Sequence, residues 1–413
     1  MAMQLRPILS TLRHHRLTAM LLTLQVALTC AIVCNVAFMI ASRIADVSMP
    51  TGIAESELST IQSTGTDLHQ NAQALHDTDL AALRAIPGVE SVVAVSSALP
   101  LNRNDSFGPA CPSRQVFEQA MRTSSLFKGG DCPLSSFYDG TPGLLNTLGL
   151  QLVAGRDFLP GEYTAENNPH VAIISRALAD KLYPGQDALG KVMILGGNAL
   201  QVSGVVATLA RPELHGMGDG YASVIMPQLP DSTSEIYVLR SAPSDREHIL
   251  KAAEAVLFKV DPTRVIDPDQ VQTYSQIRDA YFQRDTTMIG LLIASALGLL
   301  FVTALGIAGL ANFWVQQRTR SIGIRRAIGA TRGDILRYFQ TENLLIVTVG
   351  IVLGVLLAVL MNLLLMTHYE LPRLPLWYLP IGAAVLWALG QLSVLSPALR
   401  AAQVPPVVAT RSV

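Results

Sequence analysis

The chain has 413 residues, half of them hydrophobic and only 15% charged, and its mean hydropathy of +0.37 lies outside the usual soluble range. A net charge of −1 conceals an asymmetry: residues 43–285 hold 18 Lys or Arg against 28 Asp or Glu, and the remainder holds 12 against 3. The soluble part is therefore acidic, which excludes a nucleic-acid binder, and the basic balance marks the flanks of apolar runs as a topology signal.

Arg6, Arg13, His14, His15 and Arg16 precede Leu17–Ser42, an uncharged run. About 20 apolar residues suffice to cross a bilayer, whereas the apolar core of a cleaved signal peptide takes only about 7–15, so an uncleaved span is predicted. The basic flank places the N-terminus in the cytoplasm.

Residues 43–285 form the only soluble domain, large enough for two lobes. A helix is predicted over 53–86, polar at first and amphipathic later, ended by Pro87-Gly88. Val89–Val95 follows as a β-branched strand, and 100–142, rich in Pro, Gly, Ser and Asn, reads as loops with short elements. From 171 to 208 the pattern gives a strand (VAIIS), a helix (RALADKLY), a Pro184-Gly185 turn, and strands at Val192–Leu195 and Leu200–Val206. A helix over 245–259, a strand beginning at Val265–Ile266 and a helix over 270–285 complete a mixed α/β domain.

Thr286–Val315, Asn343–Thr367 and Leu374–Leu399 are three more uncharged runs, the first longer than a bilayer needs. Four spans give N-in and C-in, with 43–285 and the short 368–373 loop (His368, Glu370, Arg373) outside. The 316–342 loop and the 400–413 tail, with Arg400 and Arg411, lie inside. Every lysine falls within 43–285, and the cytoplasmic positions use arginine alone.

The loop from Arg318 to Leu345 carries Arg318, Arg320, Arg325, Arg326, Arg332 and Arg337 against Asp334 and Glu342, with Ile322, Ile324, Ile328, Ile335, Leu336 and Phe339 among them. An Arg-rich amphipathic segment between apolar spans suits a surface that receives force from a cytoplasmic partner. No G-x-x-x-x-G-K-[ST] loop occurs, and Gly196-Gly197, with no following Lys and helix, reads as a strand-to-strand turn. ATP would therefore have to be bound by another polypeptide.

Other candidates read as structural. Cys111 and Cys132, each followed by Pro, suit a disulfide outside the cytoplasm, worth about 3 kcal/mol by loop entropy, against two free thiols. Cys30 and Cys34 read as small packing residues in the first span. His69 and His76 share a helical face with no third ligand, which suits a solvated face and no metal. No G-x-S-x-G, H-E-x-x-H or paired C-x-x-C occurs, so hydrolase and zinc readings lack support, and Arg332-Gly333-Asp334 is a chance tripeptide on the inner side. Gly350/Gly354 and Ala294/Gly298 suit close helix contacts, within the chain or across a dimer. Gln25, Asn35, Asn362 and Gln391 are the strongly polar residues inside spans; without a charged group there, a transport path through the membrane core is disfavoured.

Arg318-Thr-Arg-Ser-Ile-Gly-Ile-Arg-Arg-Ala-Ile-Gly-Ala330 and the tail Pro397-Ala-Leu-Arg-Ala-Ala-Gln-Val-Pro-Pro406 resemble the FtsX-like permease domain. Leu148-Gly149-Leu150, Gly155-Arg156-Asp157-Phe158, Val171–Tyr183, Pro184–Val192 and Val202–Val206 are similar to the MacB-type periplasmic core domain. The two resemblances cover most of the chain, in order around the four-span topology.

They imply an α-helical membrane protein with a large α/β extracytoplasmic domain between helices 1 and 2: a permease subunit of an ABC transporter in a bacterial inner membrane. In that scheme a separate cytoplasmic ATPase dimer, carrying ATP and Mg, moves the loop, and this chain is not an enzyme by itself. The contact falls on Ile322, Gly323, Ile324, Arg325, Arg326, Ala327, Ile328, Gly329, Ala330 and Thr331. The first two spans extend outward as a stalk, and substrates such as amphiphiles, peptides or lipoproteins are handled outside, never crossing the membrane core. A second permease chain, the same or different, is a further partner, and a periplasmic adaptor would favour efflux. The alternative is a membrane regulator that moves a periplasmic enzyme or senses a ligand without transport. Ser321 stands where the family has Glu, so any ion pair of that Glu is not carried over.

Overall fold

The computed structural model of the chain describes residues 16–67, 71–128, 130–164, 169–214, 219–229, 231–369 and 374–403, with the main chain alone for 365–369. Met49–Gln283 form one compact unit, and the segments on either side of it form the other. After α1 (Arg16–Val47), the α/β unit runs β1 (Leu58–Thr64), α2 (Ala72–Arg84), β2 (Val89–Val95), β3 (Phe107–Cys111), α3 (Arg114–Arg122) and β4 (Leu134–Asp139). It continues with α4 (Leu144–Leu148), β5 (Leu152–Gly155), β6 (Val171–Ser175), α5 (Arg176–Leu182), β7 (Val192–Leu195) and β8 (Asn198–Val206). Then come β9 (Ser223–Met226), β10 (Ser234–Ser241), α6 (Arg246–Val260) and β11 (Val265–Thr273).

Two sheets build this unit. The first is antiparallel, in the order β11-β1-β10-β2. Its outer face is covered by α2 and α6 through Ile61, Leu80, Leu83, Tyr237, Leu239 and Ile249. The second runs β5-β8-β6-β9-β4-β3-β7, and β7 also pairs with β8, so six of its strands close on themselves. Closure removes unpaired strand edges, and a core including Ala110, Ile174, Met193, Leu200 and Val224 fills beside it. Gly196 and Gly197, at φ 57° and 94°, make the β7–β8 hairpin turn, a conformation open to glycine without a Cβ clash. Cys111 and Cys132 Sγ lie 2.03 Å apart, at disulfide bonding distance, beside Leu126 and Ile194. All five lysines of the chain, Lys128, Lys181, Lys191, Lys251 and Lys259, belong to this unit.

Three expectations are overturned here. The helix over 53–86 is in fact a short 3₁₀ turn at Glu55–Glu57, then strand β1, with the helix confined to Ala72–Arg84. Strand β1 lies between β11 and β10, so Ser59, Thr60 and Ser63 are buried by cross-strand neighbours. Tertiary pairing outweighs the helix-like spacing. Residues 270–273 are strand rather than helix, because the register Ser59↔Thr273, Thr60↔Gln272, Ile61↔Val271 carries β11 that far. Helix α7 (Tyr274–Gln317) starts only where Gln276 Oε1 accepts from the Thr273 N–H at 2.8 Å. His76 is not on a solvated face: it is 3% exposed, with Nε2 donating to the Ser232 carbonyl at 2.7 Å and Nδ1 3.0 Å from Tyr237 Oη. Burial lowers its pKa, against the Ser232 carbonyl and the Asp79 charge, which raise it. Tyr237 Oη also meets Asp79, whose buried carboxylate takes a two-pronged ion pair from Arg264 at 2.8 Å. His69 lies outside the described residues.

The helical unit comprises α1, the membrane-side part of α7, α8 (Thr319–Ala327), α9 (Arg332–Tyr369) and α10 (Tyr378–Ala402), and four of these are long and apolar enough to cross a membrane. Small residues set their packing. A Cβ on Gly354 would come within 2.4 Å of Cys30 Cβ, one on Gly350 within 2.8 Å of Val26, and one on Gly382 within 2.4 Å of Cys34 Sγ. The G-x-x-x-G of α9 thus seats α1, and both cysteines pack as small residues. Ala294 and Gly298 are exposed, and among the described residues a Cβ on Gly298 would meet nothing within 4 Å. Several polar side chains in the spans find partners within the bundle: Asn35 Nδ2 donates to the Ala358 carbonyl at 3.2 Å, Asn362 Oδ1 accepts from the Leu374 N–H at 3.0 Å, and the Thr29 and Thr303 hydroxyls meet at 2.8 Å. Gln25 and Gln391 reach the carbonyls of Val302 and Gln340, each at 3.4 Å.

Candidate coupling site

The arginine-rich loop is a helical corner, not an irregular loop. α8 ends in Gly329 at φ 106°, where the Gly329 N–H donates to the Arg326 carbonyl at 3.2 Å and the Ala330 N–H to the Arg325 carbonyl at 3.0 Å. This is the paired closing pattern that a left-handed residue provides. Two residues on, Thr331 opens α9: its N–H and hydroxyl both donate to Asp334 Oδ2, at 3.0 and 2.6 Å, and its Oγ1 accepts from the Asp334 N–H at 3.2 Å. A reciprocal cap of this kind satisfies the first orphan donors of the helix. Both helix ends at the corner are therefore closed by residues of the corner itself.

The corner is anchored to the bundle at three points. Arg318 Nη1 donates to both oxygens of Glu342, at 3.0 and 2.8 Å, and Glu342 is 1% exposed. Arg326 Nη1 donates to the carbonyl of Ala402 at 2.9 Å, tying α8 to the end of α10. The Arg325 guanidinium lies 5.0 Å from the ring centre of Tyr338, a cation–π contact with the first turns of α9. Beneath these, Ile322, Ile335 and Phe339 pack into the apolar core of the bundle.

The ten residues expected to meet a partner divide by position. Ile322 and Gly323 are buried and hold the corner in place; Arg326 and Ala330 are half-buried; Ile324, Arg325, Ala327, Ile328, Gly329 and Thr331 are exposed. Ile328 is 82% exposed and Ile324 46%, large apolar side chains among the exposed Arg320, Arg325, Arg332 and Arg337. The patch is thus apolar at its centre and basic at its rim. Ser321 is exposed, and the carboxylate that meets Arg318 comes from Glu342, 24 positions along the chain. The reading from sequence placed Arg318 and Glu342 in the force-receiving segment but not in the contact set, did not foresee their pairing, and missed Ala402. Its one available signal was that Glu342 is the sole acid at the mouth of the third apolar run. Among the described residues, no group of His, Cys, Asp and Glu is placed to hold a metal ion.

The family model for the MacB-like periplasmic core domain matches residues 22–272, and that for the FtsX-like permease C-terminal region matches 293–406. An uncharacterized ABC transporter permease, YknZ of Bacillus subtilis, is 25% identical over 338 residues, 81% of this chain and 78% of its own. The macrolide export ATP-binding/permease protein MacB of Neisseria gonorrhoeae is 29% identical over 220 residues, 52% of this chain and 33% of its own. The pyoverdine export ATP-binding/permease protein PvdT of Pseudomonas entomophila is 29% identical over 252 residues, 59% and 38% respectively, so this chain spans little more than a third of these two relatives. The solved extracellular domain of the ABC-type transporter YknZ aligns with 50% of this chain and 99% of its own, at 15% identity and a TM-score of 0.32. With one family model covering more than half its length and a second covering the remaining membrane helices, the chain belongs to the MacB-like, FtsX-like family of ABC transporter permeases.

Proposed function

We propose that this permease couples a cytoplasmic ATPase dimer, which holds the ATP and Mg, to work done outside a bacterial inner membrane, and that the α8–α9 corner is the contact. The observation that carries this reading is the corner itself: an exposed Ile324/Ile328 pair ringed by arginines, on a support fixed by Arg318–Glu342 and Arg326–Ala402. A patch that moved independently of the bundle would dissipate a push; one anchored at both helices passes it on. With arginine-only flanks inside, the N- and C-termini are cytoplasmic and Met49–Gln283 is outside.

Helix α7 supplies a route outward. Its 44 residues extend about 66 Å, roughly twice the thickness of the hydrocarbon layer, with no break in the helix. In this mechanotransmission scheme a second permease chain completes the transporter, substrate is handled outside, and an adaptor joins where the cargo is exported. The exposed Ala294/Gly298 pair on α7 suits the contact with that second chain. The test is co-purification in detergent followed by an ATPase assay with and without this chain. Failure of any ATPase to associate, or an Ile328→Asp chain that binds and stimulates it as the wild type does, refutes the scheme.

A further inference from the structure

Among the described residues, one end of the four-stranded sheet carries no covering layer. The two-residue period of its strands places Ile61, Tyr237 and Val271 under α2 and α6, and turns Thr60, Gln62, Ile236, Gln270 and Gln272 to the opposite side. Leu58 and Val238 on that second face are buried in a core with Leu99 and Tyr274. Over the row of glutamines the face is open, and a cleft of about 300 Å³ stands there. The 99–104 loop walls it on one side, and Ile277, Ala280 and Tyr281 of α7 on the other. That volume is at the small end of the range for organic ligands.

The lining has a definite chemistry. Gln62, Gln270, Gln272, Asn102 and Asn104 bring carboxamides above an apolar floor of Leu99, Leu101 and Ile236; the Asn102 amide is engaged by Ser97 and the Asn104 N–H, and the Gln272 amide nitrogen by the Asp269 carbonyl. Among the described residues no carboxylate or lysine lines the cleft, and Arg103 is the one charged residue that does. Arg103 Nη2 donates to the Tyr281 carbonyl at 2.9 Å and the guanidinium lies 5.3 Å from the Tyr281 ring centre, with no acid paired to it among the described residues. Tyr281 is itself fixed, its hydroxyl donating to Glu213 at 2.7 Å and accepting from the Leu214 N–H at 2.9 Å.

The wall that presents this arginine has an unusual main chain. Leu101 and Arg103 have φ 65° and 61°, two of the three non-glycine residues with positive φ among those described. L residues avoid this region, and folds keep such residues where the placement of a side chain outweighs the strain. Here Arg103 N–H donates to the Pro212 carbonyl at 3.1 Å, and Asn102 Nδ2 to the Ser97 carbonyl at 2.6 Å, which holds the loop in that form.

We infer that this cleft binds a small organic carboxylate whose body carries amide or hydroxyl groups: the carboxylate on Arg103, the body along the carboxamide row. The lone arginine disfavours cations, and the polar row disfavours a purely apolar guest. The end of a short peptide and a sugar acid share this chemistry. The inference stands on the cleft alone and is independent of ATPase coupling.

The test is calorimetric titration of the full chain in detergent, without nucleotide or ATPase. The probes are N-acetyl-dialanine, its C-terminal amide, glucuronate and glucose. One acid is expected to bind saturably with Kd on the order of 1 mM or tighter, as suits so small a ligand, and its neutral counterpart about tenfold more weakly. Saturation by the peptide acid assigns a peptide end, and saturation by glucuronate a sugar acid. Arg103→Gln is expected to weaken binding about tenfold, and Gln62→Leu several-fold with the thermal transition unchanged. The inference is overturned if neither acid saturates, if acid and neutral probes bind alike, or if both substitutions leave the affinity unaltered.

Discussion

Glu235 gives the sharpest quantitative prediction. It lies on β10 opposite Ser63 of β1, is 1% exposed, and among the described residues no side chain pairs with its carboxyl oxygens. Burial, reinforced by the charge of Asp139, pushes its pKa from 4.5 up to about 9. A carboxyl raised in this way prefers to be protonated in the folded state, so its cost is absent below the unfolded value. The cost then grows as pH rises, until the folded value is passed. At 1.36 kcal/mol per unit, keeping the carboxyl protonated in the fold while the unfolded chain ionises it costs about 3 kcal/mol at pH 7 and about 5 kcal/mol at pH 8.5, but under about 1 kcal/mol at pH 5. Glu235→Gln keeps the shape and removes the group whose ionisation favours the unfolded chain. It should raise the thermal transition of the α/β unit by about 6–12 °C at pH 7, with the gain shrinking toward zero at pH 5. Scanning calorimetry of the full chain in detergent at the three pH values reads this directly. A gain that does not vary with pH, or a variant less stable than the wild type at pH 8.5, refutes the reasoning.

Three further outcomes are expected. Arg325→Glu, on the exposed face, should cut ATPase stimulation by about tenfold or more while the chain still inserts and loses only the Tyr338 contact, about 0.5–1 kcal/mol, whereas Arg326→Glu, which loses the bond to Ala402, should lower stability further. Equal behaviour of the two in a complementation and melting assay contradicts the division of the corner into contact and support. Replacing Cys111 and Cys132 by Ser should cost the α/β unit about 3 kcal/mol, and thiol labelling after denaturation should find neither cysteine free without reductant; two labelled thiols would dispose of the disulfide. Gly354→Leu should overpack the α1–α9 seam by about 1–3 kcal/mol while Gly298→Leu leaves the melting of the isolated chain unchanged, and the reverse ranking in detergent would contradict the packing described.

What could be read from residues alone depended on whether a segment's environment matched its own chemistry. Strands β2, β6 and β7 are β-branched or aliphatic runs bounded by turn residues, so local pattern and tertiary role agree. Strand β1, LSTIQST, is polar in composition yet buried by neighbours from residues 234–241 and 265–273, and nothing local announces them. The same holds for β10, where Glu235 stands among buried neighbours against its own preference. At the corner, Gly329 and the Thr331/Asp334 pair were visible as punctuation. The split between buried Ile322 and exposed Ile324 and Ile328 was not, because isoleucines at 322, 324 and 328 fall on both faces of α8. Only α9 and α10 decide which face is covered.

The distribution of lysine has a practical consequence. Its five ε-amines all sit in the Met49–Gln283 unit, some of them engaged: Lys181 with Asp219 at 2.9 Å, and Lys191 with Gln186 and 4.6 Å from the Tyr183 ring centre. An amine-reactive reagent that cannot cross the bilayer therefore reports the side of the membrane on which this unit stands, with no engineered tag. Applied to intact cells it should modify these side chains, and applied to sealed inverted vesicles it should leave them untouched. The chain carries its own orientation label.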